Sequence, residues 1–167
     1  MPKVRLEPVS LATWDRAAGI ESDPGQDHFG PSIEESLLRW IGENGDVIHE
    51  PLLVYRAAGS SFPAPSSSPK SDDQPPVGFV MLLYPASYPD RCVIAGLRIA
   101  REQQGRGFGG AALDACIDRI RDLHPACRTL YLTVHAENAV ARGLYERRGF
   151  TRTTVRFGDQ LTYLRRL

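Results

Sequence analysis

Residues Gln104-Gly105-Arg106-Gly107-Phe108-Gly109-Gly110 place four glycines within seven positions, between an apolar strand-like run and the start of an amphipathic helix. Glycine lets the backbone approach a bulky ligand with no Cβ in the way, and the first N–H groups of a helix have no intrahelical partner. A phosphate satisfies those donors and sits at the positive end of the helix dipole. The chemistry implied is capture of an anion by main-chain amides. Arg106 stands ready as a phosphate contact or as a solvated side chain, and Gln104 either touches the ligand or fixes the turn.

Three kinds of phosphate turn compete. The P-loop needs Lys followed by Ser or Thr after its last glycine, whereas Gly110 is followed by Ala111 and Ala112, so that reading fails. The dinucleotide pattern G-x-G-x-x-G is matched literally by Gly105, Gly107 and Gly110. It is weakened by its late position, which leaves too little chain for a long β-α-β series, and by the lack of a carboxylate in Leu130 to His135, where a ribose-binding acid belongs.

The third reading takes in more residues. Gln104-x-x-Gly107-x-Gly109 fits the pattern Q/R-x-x-G-x-G/A. Asn138, Ala141, Leu144, Tyr145, Gly149 and Phe150 fit N-x-x-A-x-x-L-Y-x-x-x-G-F. The two motifs stand in order, separated by one helix and one strand, and between Cys92 and Phe150 the chain resembles the GCN5-related N-acetyltransferase (GNAT) superfamily. That resemblance implies an α/β fold with a mixed, mostly antiparallel sheet, one parallel central pair and flanking helices. It also implies acetyl-CoA as cosubstrate, no metal, and direct attack of a neutral primary amine, from a small molecule or a peptide, within a ternary complex.

Carried onto this chain, the resemblance assigns the coenzyme to the backbone at Leu97, Arg98 and Ile99, to the amides from Gln104 through Gly105, Arg106, Gly107, Phe108, Gly109 and Gly110, and to Asn138, Ala141 and Tyr145. Tyr145 occupies the position of the acid that protonates the leaving thiolate, for which a phenol is a suitable donor. Asn138 also reads as an ordinary N-cap. Many relatives carry a Glu on the strand before the glycine turn, but Val93 to Ile99 holds no carboxylate. Asp90 and His135 are the substitutes for a general base, histidine being a residue type suited to the task, and a water chain to solvent would serve as well. The acceptor end is assigned to the first helices, their connecting loop and the final hairpin. Glu21, Asp23 and Asp27 in that loop favour a cationic amine. A non-catalytic acyl-CoA-binding or sensing domain, and a dinucleotide-binding protein, are the competing functions.

The elements that must position these groups follow from periodicity and punctuation. VRLEPVS alternates as a half-buried strand, and a short helix from Ser10 or Thr13 to Ala18 precedes the polar loop ESDPGQDHFGP. Ser32 and Glu35 form a capping box for a helix whose buried face carries Ile33, Leu37, Trp40 and Ile41. PLLVYRAA and VGFVMLLY are antiparallel strands joined by a Ser/Pro-rich loop, residues 59–76, which enters at the same end of the sheet as the glycine turn and brings Lys70 there as a phosphate candidate. RCVIAGLRIA is a central strand, expected to be buried on both faces. The helix after the turn buries Leu113, Cys116, Ile117, Ile120 and Leu123, and TLYLTVH completes a right-handed β-α-β unit with parallel strands. A helix begun by Asn138 and stopped by Gly149, then a hairpin of TRTTVRF and LTYLRRL around Gly158-Asp159, close the chain.

Bulk properties are consistent with one domain over all 167 residues. Twenty basic residues balance twenty acidic ones, giving no global field for nucleic acid or an anionic membrane. No apolar run approaches the roughly 18 residues that cross a bilayer, and MPKVRLEP does not read as a signal peptide, so a cytoplasmic location is expected. Cys92, Cys116 and Cys127 lack metal-ligand or disulfide spacing and read as buried small apolar residues. Relatives of this kind are often homodimers, but no apolar stripe in the sequence assigns an interface.

Overall fold

The computed structural model describes residues 2–42, 45–58 and 74–167. In chain order it runs β1 (Val4–Pro8), α1 (Trp14–Ala18), a 3-10 helix (Pro24–Phe29), α2 (Ile33–Gly42), β2 (Val47–Arg56), β3 (Gly78–Pro85), β4 (Arg91–Ile99), a 3-10 turn (Arg101–Gln103), α3 (Phe108–Leu123), β5 (Thr129–His135), α4 (Ala139–Arg147), β6 (Thr151–Phe157) and β7 (Gln160–Arg166). Among the described residues the strands form one sheet in the order β1-β2-β3-β4-β5-β7-β6, in which only β4 and β5 are parallel. The residues 59–73 of the Ser/Pro-rich stretch, Lys70 among them, lie outside the described residues. Gly78 at the start of β3 pairs with Ile99 at the end of β4, the relation expected of that segment.

Near-continuous apolar runs avoid water only if both faces of the strand are covered. Leu52, Val54, Val80 and Leu82 pack beneath α3, while Leu53, Tyr55, Phe79 and Met81 pack against Ala17, Ile33 and Leu37 of α1 and α2. The period of two along β2 and β3 thus feeds two separate clusters. The predicted helix faces are trimmed at their ends, where Ile41 is 58% and Leu123 54% exposed. All three cysteines are buried and free. The expected polar loop contains the 3-10 helix, because Asp23 Oδ1 accepts from Gly25 N at 2.9 Å and Pro24 is preset at the first position.

β4 departs from the expectation of full burial. Its ladder with β5 holds at only three positions, Arg91–Thr129, Cys92–Leu130 and Val93–Tyr131. On its other side the register with β3 shifts between Met81–Ala95 and Phe79–Arg98, so β4 carries an extra residue there. Gly96 sits in that bulge at φ +59°, a backbone state that glycine adopts without steric cost. β5 meanwhile stays paired with β7 along its whole length, from Thr129–Arg166 to His135–Gln160. The C-terminal halves of β4 and β5 therefore part, and only Cys92 and Ile94 of β4 are buried.

Local capping fixes the helices that flank this opening. Ser32 and Glu35 make the predicted box, with Ser32 N donating to Glu35 Oε2 at 2.6 Å and Glu35 N to Ser32 Oγ at 3.1 Å, and these bonds hold the Glu35 carboxyl below its ordinary value. At the end of α4, Phe150 N donates to Tyr145 O at 3.1 Å and Gly149 N to Glu146 O at 3.0 Å, the two bonds of a Schellman motif, with the Tyr145 and Phe150 rings 6.1 Å apart. Gly149 is left-handed at φ +78°. Gly149→Ala is expected to cost about 1–2 kcal/mol in chemical denaturation, with Gly149→Asn milder.

Candidate active site

The opening between β4 and β5 is walled by the glycine turn, the first turn of α3 and one face of α4. It comprises two adjoining compartments. One, about 410 Å³, is lined by Leu97, Arg98, Ile99, Gln104, Gly105, Gly107, Phe108, Gly109, Gly110, Asn138, Ala141, Leu144 and Tyr145. The other, about 270 Å³, is lined by Phe29, Ile94, Gly96, Thr133, His135 and Gln160. Gln26, Leu97, Arg98, Asn138 and Tyr145 line both and mark the junction.

The first compartment gathers nearly all residues expected at a phosphate and pantetheine site. Gly105 and Gly107 are left-handed, at φ +72° and +83°, and Gly107 precedes the first turn of α3 with no side-chain cap. That leaves the opening amides of a sixteen-residue helix toward the cavity mouth, which suits an anion. A Cβ at Gly109 would meet Leu144 Cδ2 at 3.4 Å, an ordinary contact, so the packing of α3 on α4 does not require this glycine. Gly110 differs: a Cβ there would collide with the Arg148 guanidinium. The guanidinium crosses α3 over Gly110 to reach Asp114, Nε to Oδ1 at 3.1 Å and Nη2 to Oδ2 at 3.3 Å. Neither Arg148 nor Asp114 is singled out by sequence, because nothing local links positions so far apart.

Side-chain roles are sharper than the sequence allows. Gln104 is structural: its Nε2 donates to Ile99 O at 3.0 Å, and its amide exchanges bonds with that of Gln26 at 3.2 and 3.3 Å. Arg106 is exposed and lines neither compartment, while the Phe108 ring is buried in the core. Asn138 caps α4, its Oδ1 accepting from Ala141 N at 3.1 Å. Tyr145 is 8% exposed, no described residue hydrogen-bonds its hydroxyl, and burial pushes its pKa up to about 12. It is a protonated phenol at any neutral pH.

The structure does not bring all candidate residues together. Asp90 precedes by four residues Ile94, the first β4 residue to line the cavity, roughly 13 Å of extended chain. Its carbonyl accepts from Arg128 N and Thr129 N and its carboxylate faces Arg91, so it serves the far end of the sheet. Glu21 lines a neighbouring cavity with Asp15 and Arg101, Asp23 is used as a cap, and Asp27 is exposed and lines neither compartment. From the same segment Gln26 and Phe29 face the site instead. His135 does line the smaller compartment, packed against Phe29 with ring centroids 5.2 Å apart. Its Nδ1 accepts from Glu137 N at 3.3 Å.

Comparison with known proteins places this geometry. No curated protein matches the chain. Among solved structures, an acetyltransferase from Thermus thermophilus superposes with a TM-score of 0.68 at 21% identity, covering 100% of both chains. The ribosomal-protein-S18-alanine N-acetyltransferase of Escherichia coli gives 0.67 at 17% identity, over 98% of this chain and 93% of that one. Spermidine N-acetyltransferase from Vibrio cholerae, solved with CoA and spermine, gives 0.68 at 16% identity, over 99% and 95%. At such identities these likenesses establish the fold. The model of the "Acetyltransferase (GNAT) family" matches residues 35–150, which spans the parting strands, the glycine turn and α4 through Phe150, and the chain therefore belongs to that family.

Proposed function

We propose that the protein is an acetyl-CoA-dependent N-acetyltransferase that modifies a primary amine of a small molecule by direct attack in a ternary complex. The observation that carries this reading is the pair of compartments meeting at Tyr145, one built around helix-opening amides and the other around side chains of four separate segments. The CoA bound in the V. cholerae structure supports the choice of ligand. Acetyl-CoA, when bound, supplies an activated acetyl thioester. The amides of Gln104 to Gly110 would hold its pyrophosphate and the backbone at Leu97 its pantetheine arm, as a strand would. Ile99 O is already taken by Gln104.

Tyr145 holds a proton at the junction, where a leaving sulfur needs one. Burial keeps that proton in place well into the alkaline range. The titratable side chains lining the smaller compartment are Arg98, His135 and Tyr145. With no carboxylate among them, the amine is taken to arrive neutral, its proton lost to solvent. Most of the acceleration then comes from orientation and from N–H groups at the developing negative charge. We place the reaction in the cytoplasm, where three free cysteines are at home.

A thiol-release screen over amines tests this directly. Tyr145→Phe is expected to lower kcat about 100-fold while the KM for acetyl-CoA stays within about threefold. The wild-type rate should climb with pH as the amine loses its proton. No alkaline fall is expected below about pH 10, because Tyr145 remains protonated there. A Tyr145→Phe variant that keeps the wild-type kcat would contradict the donor role. Gly107→Ala strains a backbone at φ +83° and brings a Cβ within 3.2 Å of Pro2. It should weaken CoA binding about tenfold by calorimetry.

A further inference from the structure

Resting on the transferase reading, we infer that the acceptor is a small molecule carrying a carboxylate beside its amine, as an α-amino acid does, and that Arg98 receives that carboxylate. The first observation is one of charge. Arg98 lines both compartments, and its side chain donates from Nη1 to Ser22 Oγ at 3.2 Å and from Nη2 to Gly30 O at 3.0 Å and Pro31 O at 2.8 Å. All three partners are neutral oxygens. They satisfy donors without cancelling the positive charge, and Nε–H and one Nη1 hydrogen remain.

The second observation is that no described carboxylate pairs with Arg98, whereas Arg119 and Arg148, also set into the protein, bond Glu50 and Asp114. Nearby acids bond elsewhere: Asp23 to Gly25 N, Glu35 to Ser32 N with only the smallest of its attractions directed at Arg98, and Glu137 facing His28 at 3.7 Å. The smaller compartment thus presents a guanidinium, the neutral amides of Gln26 and Gln160, and an aromatic wall of Phe29 and His135. Such a lining repels a polyamine or aminoglycoside, whose remaining cations would need carboxylates. It suits an anionic group with an apolar or aromatic side chain. About 270 Å³ is room for one amino acid.

The test compares matched pairs at equal free-base concentration: L-phenylalanine with phenethylamine, L-leucine with isoamylamine, and spermidine alongside. We expect kcat/KM at least about tenfold higher for each amino acid than for its decarboxylated partner, and spermidine to be the poorest. Arg98→Gln weakens the loop tethers and so lowers turnover of both members, but the ratio within a pair should collapse to about twofold or less, while Arg98→Lys keeps part of it. Turnover of phenethylamine or spermidine at rates equal to or above the amino acids would overturn this inference and leave the transferase standing. A pair ratio unmoved in Arg98→Gln would also overturn it. Acetyl-CoA binding with no turnover of any amine would instead overturn the transferase reading, and this inference with it.

Discussion

Parallel strands in a sheet normally keep their ladder, and the break in the ladder between β4 and β5 governs the rest of this molecule. Three paired positions hold the strands together at one end, after which the bulge at Gly96 turns β4 aside while β7 keeps β5 straight. A strand edge exposed in this way carries unpaired amides and carbonyls, which is costly if the edge is covered by nothing polar. Such an edge suits pairing with an extended, amide-bearing ligand. The opening also decides where α3 can begin, because the glycine turn must carry the chain from the displaced end of β4 back over the sheet.

The parts around the opening are tied to one another more tightly than to the sheet edges. Gly110 leaves room for the Arg148 guanidinium, and the Arg148–Asp114 pair bridges α3 and the end of α4. Gln104 joins the turn to Ile99 and, through Gln26, to the segment before α2. Arg98 fastens that same segment at Ser22, Gly30 and Pro31, and Gln160 of β7 donates to Phe29 O at 3.0 Å. The glycine turn is thus linked to the smaller compartment through two amides and a guanidinium. Tyr145, fixed by the Schellman end of α4, stands where the two meet.

What could be read from sequence was what is written locally. The capping box at Ser32, the Asn138 cap, the stop at Gly149 and the crossover between β4 and β5 depend on residues a few positions apart or on one unbroken run of elements, and all are present. The glycine turn was legible as a bend from strand into helix, but the reason for Gly110 was not, since Arg148 stands at the end of the following helix, beyond an intervening strand. The apolar run of β4 looked like a strand covered on both faces, because hydrophobicity does not distinguish a buried strand from one that lines a cleft. In the acidic loop Asp23 caps the 3-10 helix, Glu21 lines a neighbouring cavity and Asp27 is exposed, while the residues that face the smaller compartment, Gln26, Phe29 and Gln160, have no distinguishing pattern.

We propose that coenzyme A binds in the parting of β4 and β5, closed by the glycine turn. Amide hydrogen exchange with and without saturating coenzyme A measures this directly. Exchange is expected to slow at residues 97–99 and 104–110 by about tenfold or more, while β1 and the far end of α3 are unaffected. Tight binding of coenzyme A with protection confined to another part of the sheet, or no binding at all, would contradict it.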